Sequence, residues 1–262
     1  MTTVTNDGLL AVAELLGVQT FPVALAVMQP HDHIDAWRAA RRDARSMLIG
    51  AGVIDDYGDV DTELAGALHV LARPDRQLVA RVHRPDGPRR VCLARRGLEH
   101  AVAVRTGNEF DIRQVWGDED HAVLARPFLA ALGPGAAAGI TAFGGLAGQL
   151  RERMDAAHSS GDFIDIAFHF GCAERAAVEF GMAMAGCHAH AEIAAYHHHD
   201  GSATRIAAAV AVYDTARGRI VAAPTQTGDG QLWSTFAPGT DHRVTQSISA
   251  LIGLLPGERW MP

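Results

Sequence analysis

Lysine is missing from this chain: all 23 basic residues are arginine, a bias that accompanies its Ala and Gly richness and points to a GC-rich genome rather than to a mechanism. Cysteine is scarce. Cys92, Cys172 and Cys187 are an odd number with no CxxC pair, which argues against a disulfide framework and for reduced thiols in a cytosol. Nothing approaches the roughly 18 consecutive apolar residues of a membrane span. The opening MTTVTNDG lacks a basic stretch and an apolar run, so no secretory leader is expected. Positive charge is in deficit, and the net charge of −7 argues against nucleic acid or an anionic membrane as partner.

The most basic stretch is AWRAARRDARS (36–46). It sets Arg38, Arg41, Arg42 and Arg45 at helical spacing opposite Trp37, Ala40 and Ala44, the pattern of a solvated helix face. Catalytic signatures are absent as well: no GxSxG, no kinase set, no HExxH or HxxEH, no GxGxxG and no GxxxxGK[ST]. Cys172 follows His169 in FHFGCAER, but a reactive thiol needs an electropositive, accessible pocket. No enzyme and no cofactor are expected.

With 262 residues, 48% hydrophobic and 20% charged, the chain is long and apolar enough to bury a core without staples. Asp7 can cap a short helix through Leu9, Leu10, Ala13 and Leu16 that Gly17 stops, and FPVALAV (21–27) reads as an apolar strand. Helices follow at 35–50 and after an Asp61 cap, where Leu64, Ala67, Leu68 and Leu71 share one face. The period then switches. QLVARVHR, RRVCLARR, HAVAVRTG and EFDIRQVW read as four strands separated by turn chemistry, and a helix at 120–132 ends at GPG.

The second half repeats that order. Helices at 143–158, 162–170 and 173–185 precede strands at 187–196, 204–213, 218–224 and 231–236, and a helix at 241–255 ends at PG. DHAV (120–123) and DHRV (241–244) open the two closing helices. A repeat of about 120 residues indicates a duplicated unit rather than a solenoid. The chain is read as one domain, 1–262, with an N-terminal half (1–135), a C-terminal half (136–262) and GPGAAAGITAFGGLAG (133–148) as connector.

CHAHAEIAAYHHHDGS (187–202) concentrates five of the 14 histidines. Alternation puts Cys187, Ala189, Ala191, Ile193 and Ala195 on one face and His188, His190, Glu192 and Tyr196 on the other, a half-buried strand. His188 and His190 at i and i+2 can reach one zinc ion, and Glu192 can add a ligand or a general base, so a metal-dependent enzyme on these three is the alternative reading. Against it, His197 to His199 directly precede the Asp200-Gly201 turn and are expected to diverge into solvent, and no second set of ligands is evident.

The run AAAVAVYDTARGRIVAAPTQTGDGQLWSTFAPGTDHRVTQSISALIGLLPGERW (207–260) resembles the EspG family, chaperones of type VII (ESX) secretion systems. DGLLAVAELLGVQTFPVALAV (7–27), GALHVLARPDRQLVARV (66–82), ARRGLEHAVAVRTGN (94–108) and AEIAA (191–195) carry the resemblance over most of the chain, with 136–186 matching least. It implies an α+β (mixed α/β) fold with a quasi-twofold duplicated unit, a central antiparallel β-sheet and two helical bundles. It also implies a cytoplasmic chaperone, not itself secreted. Such a chaperone binds the hydrophobic tip of the PPE protein in PE–PPE heterodimers, keeps it soluble and directs it to its secretion machinery.

Carried onto this chain, the family's binding surface includes the loop Arg84–Arg89, with Arg84, Asp86 and Arg89 as contacts. It also includes the bundle segment 161–186, which carries Phe163, Phe168, Phe170 and Met182. Heptad arithmetic sends Phe180 and Met184 to the core and leaves Phe168 and Met182 as the better interface candidates, since Met and aromatics suit adaptable interfaces. His188, His190 and Glu192 lie beside this surface. The partner this resemblance implies is a PE–PPE heterodimer, with no nucleic acid and no membrane expected, and the chain is expected as a monomer or weak homodimer.

Overall fold

Strand-period alternation and helix-period stripes along this chain resolve into one sheet with helices on both faces. A computed structural model describes residues 2–117 and 120–262. In the first half, β1 (Thr2–Thr5) leads into α1 (Asn6–Leu15), a 3-10 turn (Val23–Leu25), α2 (Ile34–Gly50) and α3 (Thr62–Ala72). The meander β2 (Arg76–His83), β3 (Arg89–Arg96), β4 (Glu99–Thr106) and β5 (Glu109–Val115) follows, then α4 (His121–Leu132). The second half runs β6 (Phe143–Leu146), α5 (Ala147–Ala156), α6 (Ser160–His169), α7 (Glu174–Met184), β7 (Cys187–His199), β8 (Ser202–Thr215), β9 (Gly218–Gln226), β10 (Leu232–Pro238) and α8 (Asp241–Gly253).

The strands form one sheet in the order β1-β5-β4-β3-β2-β7-β8-β9-β10-β6, and every pairing in it is antiparallel. That order is palindromic: exchanging β1 with β6, β5 with β10, and so on inward to β2 with β7 leaves it unchanged. The central join is β2 against β7, from Arg76↔His197 to His83↔His190. An axis through that join, perpendicular to the sheet, relates the halves and returns each face to itself. The quasi-twofold is therefore built into the pairing.

One face carries α4 and α8 over Leu78, Val91, Leu93, Ile193, Val210, Val212 and Val221, closed by Leu251, Leu255 and Trp260. The opposite face carries two bundles. Near one edge, α1, α2 and α3 cover Val79, Cys92, Ala101, Phe110 and Ile112. Near the other, α5, α6 and α7 cover Ile220, Ala222 and Phe236.

Three sequence expectations change. FPVALAV is not a strand: Pro22 opens a 3-10 turn, Ala26 leaves it at φ 49°, and Val23 is 87% exposed. Side chains of Arg90 and Arg105 supply the hydrogen bonds a neighbouring strand would have given, to the carbonyls of Ala24, Leu25 and Ala26. Meanwhile Thr2–Thr5 occupies the strand position beside β5. The helix expected at 143–158 begins only at Ala147, because Phe143–Leu146 pairs with β10 as an edge strand. Finally, His197 to His199 are not splayed turn residues. They complete β7, paired with Thr204, Ala203 and Ser202, and the turn is Asp200–Gly201 alone. With φ of 49° and 76°, those two residues match the twist of the strands.

The 133–142 connector is seated against β9. Ala138 donates to the Arg219 carbonyl at 2.9 Å and Arg219 N donates to Ala136 O at 2.6 Å. Gly218, at φ 112°, allows this approach, since a Cβ there would collide with the backbone of Ala136 to Ala138.

Candidate partner-binding trough

Between the two bundles the sheet is uncovered. Residues two apart share a face, so β2 presents Arg81 and His83, β7 presents His190 and Glu192, and β8 presents Arg205, Ala207, Ala209, Ala211 and Tyr213. Ala207, Ala209 and Ala211 keep the middle of β8 low on this face, between Arg205 and Tyr213. The result is a trough whose floor is apolar along the middle of β8 and polar along β2 and β7.

On the α5 side the trough holds a cleft of about 890 Å³, walled by Leu150 and Met154 of α5 and by Trp233 of β10. On the N-terminal side a smaller cleft of about 340 Å³ lies against Phe21, Pro22, Leu71 and Tyr196. Glu192 and Arg205 line both clefts, and Arg205 donates to Glu192 Oε1, so this half-exposed ion pair forms the low ridge between them.

His83 and His190 stack at one end, with centroids 4.7 Å apart and planes inclined by 18°. Burial, and then the neighbouring His83, pull His190 below the ordinary imidazole value. At neutral pH the lowered value leaves His190 uncharged and flat against the His83 ring. Tyr213, opposite His190 on β8, is held protonated: burial first, then Cys187, Asp155 and Glu192, push its hydroxyl up to about 12.

The candidate residues separate into four groups. His190 and Glu192 line the trough, and His188 is exposed two residues from the stack. Phe168 and Met182 are exposed, at 62% and 44%, on α6 and α7, but neither lines the trough. Phe163 and Phe170 are half-buried against the α5–α7 core, with Phe170 lying over Gly145 where any side chain would collide with its ring.

Arg84, Asp86 and Arg89 form a closed network. Asp86 accepts from Arg84 Nε at 3.2 Å and from Arg89 Nη2 at 2.9 Å. Both arginines also donate to carbonyls at the end of α4, Arg84 to Leu132 and Arg89 to Ala131. The loop is thus clamped to a helix C-terminus, where guanidinium charge is favoured.

The zinc alternative finds no converging donors. His190 faces His83, Glu192 is engaged by Arg205, and among the described residues no group of three or more His, Cys, Asp or Glu is placed to hold a metal ion. Burial pushes the Cys172 thiol up, away from thiolate chemistry.

Residues the sequence reading did not single out supply most of the trough: Leu150, Met154, Trp233, Phe21 and the β8 alanines. The AxAxA alternation from 207 to 211 is the sequence signal that bears on this floor.

Comparison with known proteins places this architecture. A family model described as "EspG family" matches residues 5–250. The ESX-1 secretion-associated protein EspG1 of Mycobacterium tuberculosis is 30% identical over 98% of this chain and 88% of its own length. The ESX-3 secretion-associated protein EspG3 of Mycolicibacterium smegmatis is 28% identical over the same shares. Among solved structures, the Mycobacterium tuberculosis type VII secretion system chaperone EspG5, in complex with the PE25–PPE41 dimer, superposes with a TM-score of 0.80. That match is at 22% identity and covers 99% of this chain and 98% of the other.

Proposed function

The chain belongs to the EspG family, and from that premise we propose that it is a cytosolic chaperone of a type VII secretion system that binds a PE–PPE heterodimer. The observation that carries the reading is the open trough: two helical walls and an alanine floor that the protein's own helices leave uncovered. Exposed apolar concavities of this size on a soluble protein mark places where another surface docks.

The trough suits the apolar tip of a helical bundle. Met154, Leu150 and Trp233 offer adaptable side walls, while the alanines let a partner helix approach the sheet closely. Phe168 and Met182 extend the apolar surface onto the outer face of the same bundle, and the Arg84–Arg89 loop bounds the end of the sheet. The work is binding rather than bond-making: the chaperone covers apolar area that would otherwise aggregate, and it selects its cargo by shape.

Co-expression with PE–PPE pairs tests this. A soluble ternary complex on size exclusion with at least one pair is expected, and failure with every pair encoded beside the chaperone's own secretion locus overturns the reading.

A further inference from the structure

At one end of the sheet, on the face covered by α4 and α8, cations are gathered, with one carboxylate among the described residues to neutralise them. Arg76 on β2 stands opposite Arg95 on β3 and opposite His197 on β7. All three point the same way as their neighbours two residues on, Leu78, Leu93 and Ala195, toward the core beneath α8. The chain after α8 then brings a further cation. Gly257 and Glu258 both have positive φ and turn the backbone over, and Trp260, 1% exposed, is buried with Nε1 2.9 Å from His100 Nε2. That anchor leaves Arg259 next to Arg76 and Arg95, close enough to lower the affinity of both for their protons.

Among the described residues the counter-charge is one carboxylate. Asp75 lies 3.6 Å from Arg95 Nη2, is about half exposed, and is also committed to Gly97 N at 2.7 Å. Arg76 Nη2 donates to the carbonyl of Pro256 at 2.6 Å. The other donors are unmatched: Arg95 Nε and Nη1, Arg76 Nη1 and His197 Nδ1 are all buried without a hydrogen-bond partner. Arg95 is only 4% exposed, so solvent does not satisfy it. Like charges directly opposite on adjacent strands destabilise a sheet, and a desolvated guanidinium without partners costs more. Burial is the largest influence on Arg95, with Arg76 next, both acting against its charge.

We propose that Arg76, Arg95, Arg259 and His197 form a binding site for a small tetrahedral oxyanion, phosphate or sulfate. The ligand class follows from the donors. Guanidinium forks match tetrahedral oxyanions in geometry and charge, and an imidazole donates a further hydrogen bond once an anion sits beside it. The size limit follows from the cover: the anchored Pro256–Trp260 turn closes the site from above. The site is on the opposite face from the trough and does not depend on the chaperone reading.

Isothermal titration calorimetry on the full chain tests it, with sodium phosphate and sodium sulfate against sodium chloride at matched ionic strength. Saturable binding of phosphate and sulfate is expected, with Arg76→Gln weakening it about tenfold or more, the loss of a charge-assisted hydrogen bond. Arg259→Gln, at an exposed position, leaves the fold intact and should weaken binding in the same sense. Heats no larger than those of chloride, or a wild-type response in both variants, overturn the assignment. Glycerol 3-phosphate separates a free ion from a phosphomonoester: an ester that binds as tightly as phosphate overturns the size limit.

Discussion

Arg219 has a fully buried guanidinium that holds three parts of the chain together. It reaches Asp214 at 2.6 and 3.0 Å, the carbonyl of Gly133 at 3.0 Å, and Asp241 at the start of α8 at 3.6 Å. Breaking such a pair leaves a buried charge uncompensated, so Arg219→Ala should lower unfolding free energy by about 3–5 kcal/mol in urea titration. Arg219→Lys should recover only part of that, because an ammonium cannot reproduce the planar fork.

His190 makes a second prediction at this scale. Its folded-state affinity for protons is reduced, so its contribution to stability is present above the ordinary imidazole value of about 6.5 and is lost as pH falls through its lower folded value. His83, Glu192, Arg205, Tyr213 and Asp155 are the ionisable groups around it. NMR titration should place the His190 midpoint below that of a free imidazole. His190→Gln should flatten stability against pH below the ordinary imidazole value, and an unchanged profile would show that His190 is not what titrates.

Helix α8 shows how an element is specified at its ends and along one stripe. Thr240 accepts from Arg243 N at 3.0 Å as N-cap, and Val244, Ile248, Leu251 and Ile252 are buried on one side. Thr240→Ala should cost about 1 kcal/mol, while Leu251→Ala should cost about 2–5 kcal/mol through the cavity it leaves. Chemical denaturation of both variants checks the ranking, and equal losses would mean that α8 is held by its end rather than its face.

Elsewhere, element identity was ambiguous locally. FPVALAV has the composition of a buried strand, yet its apolar run has no period, and a short run without period does not distinguish a strand from an irregular buried segment. Phe143–Leu146 has two glycines and a single β-like residue, and it is a strand only because β10 offers it an edge.

Across the whole molecule, the duplication leaves a gap. Each half brings its own three-helix cover to the outer strands, and at the twofold that cover stops short, leaving Arg81 and His83 of β2, His190 and Glu192 of β7 and Ala207 of β8 exposed on that face. The trough is the uncovered seam between two copies of one unit. Ala207 is exposed on its floor, so Ala207→Arg should leave unfolding free energy within about 0.5 kcal/mol of wild type. The same change should weaken PE–PPE binding by about tenfold or more, measured by biolayer interferometry. Phe168→Asp and Met182→Asp should weaken it too if cargo wraps onto the outer bundle face. Normal binding by both variants, with loss in Ala207→Arg, would confine the interface to the trough.

The helix stripes, the turn residues, the two matching halves and the alternation that buries Ala191, Ile193 and Ala195 were legible in the linear chain. Each depends on neighbours a few residues apart, whose spacing sets which face they share. The order of the strands, the edge pairings of Thr2–Thr5 and Phe143–Leu146, the engagement of Glu192 by Arg205 and of His190 by His83, and the gathering of Arg76, Arg95 and Arg259 were decided only when distant segments met. Periodicity tells a residue which way to point. It carries no information about which strand lies alongside, and in this protein the site is made by that adjacency.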